Sequence, residues 1–183
     1  VDNLVEMFSV MRAKSAIDRA DVVLMVLEAG LGKVTAQDRK IAALIEQSGR
    51  SCVVVANKCD LCENSKVEPL AQELKRELPN LNFAPAVFIS ATEKRNLARL
   101  ESSIAEVAAN LQTEITTGLL NRVLTKAFED TPPPVIKGVP LKLFYASLAG
   151  VRPPRVKLFV NRVESAAGNY LVFLKKRIRE HFS

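Results

Sequence analysis

Apolar positions in the first part of the chain follow two alternating patterns. Short, unbroken apolar runs over residues 21–27, 51–56 and 86–90 predict buried strands of a parallel sheet. Between them, apolar residues recur with a helical period, which predicts helices over 4–19, from Thr35 to Gly49, over 67–78 and over 96–111. Strands that alternate with helices imply right-handed crossovers and a parallel α/β sheet with helices on both faces.

A different pattern follows residue 113. It begins with a helix around residues 119–128, which Thr131-Pro-Pro-Pro134 ends, and these prolines mark a linker. Two strands over 141–147 and 156–161, joined by a turn over 149–154, precede a last helix over 165–182. In this helix-strand-strand-helix module, Tyr170, Leu171, Leu174 and Ile178 share one face of the last helix. We expect its apolar residues to form a core, and a platform for base stacking is the alternative: Leu143, Tyr145, Val156, Leu158, Val160, Tyr170 and Leu174.

Charge separates the same two parts. Residues 1–130 carry 16 basic and 18 acidic side chains, a net charge of −2, whereas residues 131–183 carry 10 and 2, a net charge of +8. A nearly neutral first part followed by a basic C-terminal part indicates a switching or catalytic domain joined to a module that binds polyanions. A basic surface that only serves solubility is the alternative. No apolar run approaches the roughly 18 residues that cross a bilayer.

Cysteine usage predicts neither disulfides nor a metal site. Cys59 and Cys62 have the spacing of metal ligands, but there is no second pair, Cys52 lies in an apolar run, and the only histidine is His181. This usage is typical of a reducing compartment. The N-terminus has no signal-peptide pattern. Because the chain begins with Val1 and not with Met, we expect a leader or a whole upstream region to be missing.

Candidate nucleotide-binding residues lie where predicted strands end. Ligands of parallel sheets bind at the carboxyl ends of the strands, here residues 28–32, 57–60 and 90–92. Asn57-Lys58-Cys59-Asp60 follows the second apolar run. A carboxylate there can accept hydrogen bonds from N1 and N2 of guanine, a donor pair that adenine lacks. The Lys58 stem can lie over the base, and Asn57 can connect neighbouring loops. A polar loop without a ligand is the alternative for these four residues alone.

Ser90-Ala91-Thr92 ends the next predicted strand, and a backbone N–H of this turn can donate to guanine O6. Two base-contacting loops at the ends of neighbouring strands resemble the arrangement in Ras-like GTPases.

Further segments narrow this resemblance to the Der (EngA) family, over nearly the whole chain. The first are Phe-Ser-Val-Met-Arg at 8–12 and Ala-Ile-Asp-Arg-Ala-Asp-Val-Val-Leu at 16–24. The second group comprises Thr-Pro-Pro-Pro at 131–134, Lys-Leu-Phe-Tyr-Ala at 142–146, Phe-Val-Asn at 159–161 and Arg-Ile-Arg at 177–179.

The resemblance implies an α/β fold, with part of a Ras-like P-loop GTPase domain over 1–112 and a small α+β KH-like RNA-binding domain over 113–183. It also implies a GTP hydrolase that acts as a nucleotide-regulated assembly factor for the large ribosomal subunit. GTP or GDP and Mg²⁺ would be its cofactors; the subunit precursor, its rRNA and other assembly factors would be its partners. The implied location is the bacterial cytoplasm or an organelle matrix, mitochondrial or plastid. The implied guanine contacts are Asn57, Lys58, Asp60, Ser90, Ala91 and Thr92.

The chain departs from the family pattern at several points. No Gly-x4-Gly-Lys-Ser/Thr loop is present, and Gly30-Leu-Gly-Lys33 lacks both its spacing and its hydroxyl residue. The magnesium-binding Asp-x-x-Gly would lie before Val1, so we expect no catalytic residue and no metal ligand in this chain. Whether this chain hydrolyses GTP, or is an inactive scaffold or an RNA-binding module, stays open. Leu148 replaces a family glutamine, and the strand that usually follows the last helix would lie beyond Ser183.

RNA binding by the second module would depend on charge. KH domains clamp nucleic-acid backbone with Gly-x-x-Gly, but no two glycines here are three residues apart. Aromatic residues make up only 5% of the chain, which argues against base stacking. The candidates are a turn cluster (Arg152, Arg155, Lys157 and Arg162) and a helix cluster (Lys175, Lys176, Arg177 and Arg179). An ordinary solvated face is the alternative for each.

Overall fold

A parallel three-stranded sheet forms the centre of the first of two units, Val1–Leu111 and Gln112–Ser183, into which the chain divides. The computed structural model describes residues 2–31, 33–62, 67–136, 138–151, 153–163 and 168–182. The sheet has the order β1-β2-β3 and consists of β1 (Val22–Glu28), β2 (Ser51–Asn57) and β3 (Ala86–Phe88). Glu28 pairs with Asn57, so β1 and β2 end side by side.

Four helices accompany this sheet: α1 (Asp2–Arg19), α2 (Ala36–Ser48), α3 (Val67–Glu77) and α4 (Leu97–Asn110). Helix α2 begins as predicted, because the Thr35 hydroxyl accepts from the Asp38 N–H and the Asp38 carboxylate accepts from the Thr35 N–H. It ends at Gly49, whose φ of 69° is in the left-handed region that favours glycine.

Strand β2 is buried on both faces, and its side chains alternate between two cores. Val53 and Val55 pack with Leu100 and other apolar residues of α4. Val54 and Ala56 face the opposite core, which contains apolar residues of α1, α2 and α3. The parallel α/β sheet with helices on both faces is therefore confirmed.

Strand β1 differs from the expectation of full burial. Met25 and Leu27 are buried, but Leu24 and Val26 are exposed by 43% and 59%. In the described part of the chain, β1 pairs only with β2 and is an edge strand. The apolar run of β1 therefore does not indicate burial on both faces, whereas the apolar run of β2 does.

The second unit has α+β architecture. Helix α5 (Thr117–Asp130) is followed by a short antiparallel pair, β4 (Val135–Ile136) and β5 (Val139–Pro140). A longer antiparallel hairpin, β6 (Leu143–Val151) with β7 (Pro154–Val160), precedes α6 (Asn169–Phe182). Its buried core comprises Leu120, Leu124, Ala127, Leu141, Ala146, Tyr170 and Leu174. Among the described residues, no helix is long and apolar enough to cross a membrane.

Two predictions for this unit need correction, and a third cannot be compared with the described residues. The proline segment at 131–134 is not a linker between units but lies inside the second, where the Tyr170 hydroxyl donates to the Thr131 carbonyl at 2.9 Å. The hairpin is longer than predicted, since β6 continues to Val151 and β7 starts at Pro154. Proline is tolerated at the first position of a strand. The predicted start of the last helix, Ser165, lies outside the described residues.

Tyr145 is not a core residue, contrary to the expectation from its apolar neighbours. The pairing of β6 with β7 shifts between Leu143 and Tyr145, which is a β-bulge, and Tyr145 is 50% exposed. Leu143, Val156, Leu158 and Val160 do pack against the core.

The Asn121 side chain connects α5 to the hairpin. Its Oδ1 accepts from the Ala146 N–H at 2.7 Å, and its Nδ2 donates to the Ala146 carbonyl at 2.8 Å. Ala146 is fully buried. A buried backbone polar group without a partner is costly, so this one amide satisfies two groups that the pairing with β7 leaves open.

We expect Asn121→Ala to lower the free energy of unfolding of the second unit by about 2–4 kcal/mol, because both Ala146 groups are left without a partner. Urea unfolding followed by circular dichroism measures this change. Thr125→Ala, at an exposed position of the same helix, is the control and should change stability by less than about 0.5 kcal/mol. Equal stabilities for both variants would contradict the role given to Asn121.

Candidate functional site

Two loops lie together at the carboxyl edge of the sheet. Asn57 ends β2 and residues 58–60 follow it, and residues 89–96 follow β3. The Ile89 N–H donates to the Ala56 carbonyl at 2.9 Å, and the Cys59 N–H donates to the Ile89 carbonyl at 3.0 Å. These bonds continue the strand pairing into the loops, so the candidate guanine contacts of both loops have a fixed relative position.

Asn57 joins the two loops through its side chain. Its Oδ1 accepts from the Ala91 N–H at 3.1 Å. This bond also affects Ala91, whose N–H is expected from the sequence to donate to guanine O6. Since Asn57 takes that N–H in this structure, a contact with O6 would require the bond to be shared or exchanged.

The turn that contains Ser90 is held by its own hydrogen bonds. Ser90 is fully buried and exchanges two backbone hydrogen bonds with Arg95, at 3.2 and 3.0 Å. The Ser90 hydroxyl accepts from the Glu93 N–H at 3.1 Å and lies 3.1 Å from the Thr92 hydroxyl. Asn96 donates through Nδ2 to the Phe88 carbonyl at 2.8 Å. Rigid loops of this kind can present backbone and side-chain groups to a ligand without reordering.

Backbone strain is concentrated in these loops. Among the described residues, the non-glycine residues with positive φ are Lys58 at 62°, Lys94 at 55° and Asn96 at 60°. Such conformations cost on the order of 1–3 kcal/mol each and persist where the surrounding structure enforces them, often at ligand sites. The strain supports a functional role for both loops.

Asp60 provides a carboxylate with an unused acceptor. The Ser90 hydroxyl beside it lowers the pKa of this carboxyl below its ordinary value of 3.8, and Arg95 and Lys58 act in the same direction. The carboxyl is therefore ionised at neutral pH. Its Oδ1 is shielded from solvent and has no hydrogen-bond partner among the described residues. A shielded carboxylate oxygen without a donor is unfavourable, and the N–H groups of a base could satisfy it.

Glu28 lies at the end of β1. The sequence places this position among the strand ends where a ligand would bind, but it predicts no function for the Glu28 side chain. Its carboxylate lies 3.0 Å from Lys58 Nζ. The loop after β1 lies close to Leu61, which directly follows the Asn57–Asp60 loop. A Cβ placed on Gly30 would lie 3.3 Å from the Leu61 Cβ. Both members of the ion pair are partly exposed, so its contribution to stability is at most about 1 kcal/mol. The ion pair joins the end of β1 to the Asn57–Asp60 loop.

The segment after Gly30 is not a phosphate-binding loop. Ala29–Leu31 forms a short 3₁₀ turn, and Gly32 lies outside the described residues. The described residues contain no group of three or more His, Cys, Asp or Glu side chains that could hold a metal ion.

In the second unit, the hairpin carries most of the turn cluster. Arg155 and Lys157 lie on β7 and are exposed, and Arg162 follows the strand. Arg152 lies outside the described residues. No Asp or Glu occurs between Thr131 and Val163. The positive charge of this surface is therefore not neutralised by acidic residues of the same segment.

The helix cluster on α6 has mixed charge. Glu180 lies 3.8 Å from Lys176 and 3.4 Å from Arg177, and Arg177 also lies over the Phe173 ring at 5.4 Å. Arg122 and Lys126 of α5, which the sequence pattern did not single out, line the same groove of about 400 Å³ as Arg177, but Asp130 and Glu180 line it too. The helical spacing of basic residues along α5 and α6 could have indicated Arg122 and Lys126. Of the two clusters, the turn cluster is the stronger candidate for a polyanion.

Family models match both parts of the chain. Residues 7–129 match the family model described as the elongation factor Tu GTP binding domain. Residues 114–183 match the model described as the KH-domain-like of EngA bacterial GTPase enzymes, C-terminal. The chain thus combines a segment of a GTP-binding domain with a KH-like domain.

Curated relatives named GTPase Der match almost the whole chain. The relative from Protochlamydia amoebophila (strain UWE25) is 37% identical over 98% of this chain and 37% of its own length. Those from Thermoanaerobacter sp. (strain X514) and Streptococcus sanguinis (strain SK36) are 36% and 38% identical, over 100% and 97% of this chain and 42% and 41% of their own. The chain belongs to the Der (EngA) family, and it spans about two fifths of the length of these relatives.

Among solved structures, one similar chain is that of Era in complex with MgGDPNP and nucleotides 1506-1542 of 16S ribosomal RNA. It is 22% identical over 92% of this chain and 62% of that chain, with a TM-score of 0.47.

We expect Ser90→Ala to raise the pKa of Asp60 toward 3.8, because the neighbouring hydroxyl is the largest influence that lowers it. An NMR titration of the Asp60 carboxyl carbon measures this change. Since the pKa of Asp60 is lower in the folded protein, its ionised form stabilises the fold above the unfolded pKa. That stability is lost as pH falls through the folded pKa.

Thr92→Val is the control, because it removes the neighbouring hydroxyl and leaves Ser90 in place. The wild type should also lose more stability than Ser90→Ala as the pH falls from neutral into the acid range, because the variant has a smaller difference between the folded and unfolded pKa of Asp60. An Asp60 pKa that is the same in the wild type and in Ser90→Ala would refute this account.

Proposed function

We propose that the protein binds guanine nucleotide through the loops after β2 and β3, and that this binding regulates a factor for assembly of the large ribosomal subunit. In this proposal, Asp60 reads the base, Lys58 covers it, and Asn57 with Ser90, Ala91 and Thr92 completes the pocket. The observation that carries the proposal is the Asp60 carboxylate, ionised, held beside Ser90, and with one shielded oxygen that lacks a donor.

Guanine supplies the donors that this carboxylate lacks. Its N1 and N2 hydrogens point in the same direction and can meet the two oxygens of one carboxylate, whereas adenine presents no such pair. A site that holds a shielded acceptor discriminates strongly against a base without the matching donor, because the acceptor then stays unsatisfied. The family relationship supports the same ligand.

We propose GTP and GDP as the physiological ligands, with Mg²⁺ as the metal and GTP hydrolysis as the reaction of the full-length protein. The loop that would hold the β- and γ-phosphates does not occur in these 183 residues. Phosphate and metal contacts provide most of the catalysis in such enzymes. The relatives extend well beyond the matched region, so these contacts would come from other parts of the full-length protein.

The second unit would bind rRNA of the large-subunit precursor. Its support is the charge distribution: six basic residues and no acidic residue occur between Thr131 and Val163. Arg155 and Lys157 are exposed on one strand of the hairpin. Electrostatic contacts of this kind go mainly to phosphates, and they position a protein on RNA with little base specificity.

In the full-length protein, we expect Asp60→Asn to weaken GTP and GDP binding by 100-fold or more, roughly, because a donor replaces one acceptor oxygen. The same variant should gain affinity for xanthine nucleotides, whose base presents a carbonyl where guanine has its amino group. Titration calorimetry with GDP, XDP and ADP measures the preference.

Asp21→Asn is the matched control, since Asp21 is exposed at the opposite end of β1, and it should leave nucleotide preference unchanged. Wild-type protein that bound ADP as tightly as GDP would be incompatible with a guanine-reading role for this loop.

We expect the joint replacement of Arg152, Arg155 and Lys157 by alanine to weaken binding to structured rRNA fragments by a similar factor for different sequences. For every phosphate that the variant no longer neutralises, the plot of log affinity against log salt should also become flatter by about 0.7–0.9. Filter binding at several salt concentrations measures both effects on the 183-residue chain.

Arg12, Lys14 and Arg99 provide a control triple with the same change of charge, because all three are exposed in the first unit. Replacement of Lys175, Lys176 and Arg179 is the internal comparison and should matter less. A turn-cluster triple variant with wild-type affinity and an unchanged salt slope would exclude the turn as the RNA surface.

A further inference from the structure

The hairpin β6–β7 has an outer face that the core does not use. Along β7, Val156, Leu158 and Val160 pack against the core of the second unit. The alternate residues, Lys157 and Phe159, therefore lie on the opposite face, because successive side chains of a strand point to opposite sides.

The β-bulge in β6 places a second aromatic residue on this outer face. Leu143 and Ala146 both belong to the core, with two residues between them instead of one. The extra residue lets Phe144 and Tyr145 both stay out of the core, and they are exposed by 66% and 50%. Neither side chain belongs to the core cluster of the second unit.

Tyr145 and Phe159 form a stacked pair across the strands. Their ring centroids are 4.1 Å apart and their planes differ by 13°. Lys157 Nζ lies 5.3 Å from the centre of the Phe159 ring, within the range of a cation–π interaction. The pair is thus an aromatic surface with a positive charge beside it. Because half of Tyr145 is exposed, a further planar ring can join the stack.

Charge indicates which partner fits this face. Arg155 and Lys157 lie on the same strand as Phe159, and the whole segment from Thr131 to Val163 contains no acidic residue. A second copy of the chain would bring a like-charged hairpin to the contact, which electrostatics disfavours. A single-stranded nucleic acid has both matching features, a planar base for the aromatic pair and a phosphate for each basic side chain.

We propose that the outer face of β6–β7 binds single-stranded RNA by stacking a base on the Tyr145–Phe159 pair, with Lys157 and Arg155 on the adjoining phosphates. This inference rests on the proposed RNA binding of the second unit and gives it a location and a mode. Every base can stack on an aromatic ring. The outer face would therefore distinguish unpaired RNA from paired RNA, but it would not distinguish one sequence from another.

The experiment uses the 183-residue chain and oligouridine or oligoadenosine RNA of about ten nucleotides. Tyr145→Leu removes the ring but keeps an apolar side chain, and we expect it to weaken binding about 5- to 150-fold, the range for removal of one stacked base. The salt slope should stay the same, because the basic side chains still neutralise the same phosphates. Lys157→Ala should give the reverse signature, a flatter slope by about 0.7.

Tyr145→Phe and Tyr145→Trp retain a ring and should retain the affinity. The chain has no tryptophan, so the indole of Tyr145→Trp is a unique fluorophore, and a stacked base should quench it. Inorganic polyphosphate carries the charge of RNA without bases. It should bind wild type and Tyr145→Leu equally and should leave the indole emission unchanged. Circular dichroism of each variant checks that it is folded.

Several results would overturn the proposal. One is RNA affinity of Tyr145→Leu equal to wild type, and another is an equal decrease in Tyr145→Phe, which would assign the effect to the hydroxyl. If Tyr145→Leu does not fold, an unquenched indole in RNA-bound Tyr145→Trp is decisive against stacking. Self-association that Tyr145→Leu abolishes without any change in RNA binding would make the face a contact between copies. Wild type that binds no RNA would overturn the proposed rRNA function as well, whereas the other results leave that function intact.

Discussion

Burial of β2 on both faces is the constraint on which the geometry of the first unit depends. Residues 52–56 are each at most 4% exposed, with alternate side chains in two separate cores. A shift of one residue would exchange the two sets of side chains between cores of different shape, so the register is strongly fixed. The strand therefore delivers Asn57 and Asp60 to one place. Its pairing with β1 and β3 brings Glu28 and Ser90 to the same edge, where these residues meet.

The second unit uses its sheet differently. Only one face of the hairpin is buried, against α5 and α6, and a single inserted residue in β6 decides which aromatic side chains lie on the other face. In the functions proposed above, the two units therefore make two kinds of contact with a nucleotide. The first would read the edge of a base with fixed polar groups at a strand end. The second would accept any base and its phosphates with ring faces and basic side chains.

Much of the fold was predictable from the sequence, because local pattern and tertiary environment agree for most elements. The run at 51–56 predicts β2 correctly, and Thr35, Asp38 and Gly49 mark the ends of α2 through their own hydrogen bonds and backbone preferences. The loop after β2 was predictable as a location, since strand ends in parallel sheets are where ligands bind.

The remaining features depend on contacts between residues distant in sequence. A β-bulge leaves no reliable mark in an apolar run, so Tyr145 was assigned to the core. The bond between Asn57 and the Ala91 N–H, and the ion pair between Glu28 and Lys58, each join neighbouring loops. Exposure of Leu24 and Val26 depends on what lies beside β1, which the apolar pattern of β1 does not encode.

The amide of Asn121 has a consequence for the architecture of the second unit. By occupying both backbone groups of Ala146, it closes the outer edge of β6 at the middle of the strand, much as a paired strand would. A strand cannot be added there without displacing a helix side chain. In the described residues, the free edge of this hairpin is therefore that of β7. In the described part of the chain, a further strand could therefore extend this hairpin only along β7, so a polar side chain of α5 gives the sheet a single direction of growth.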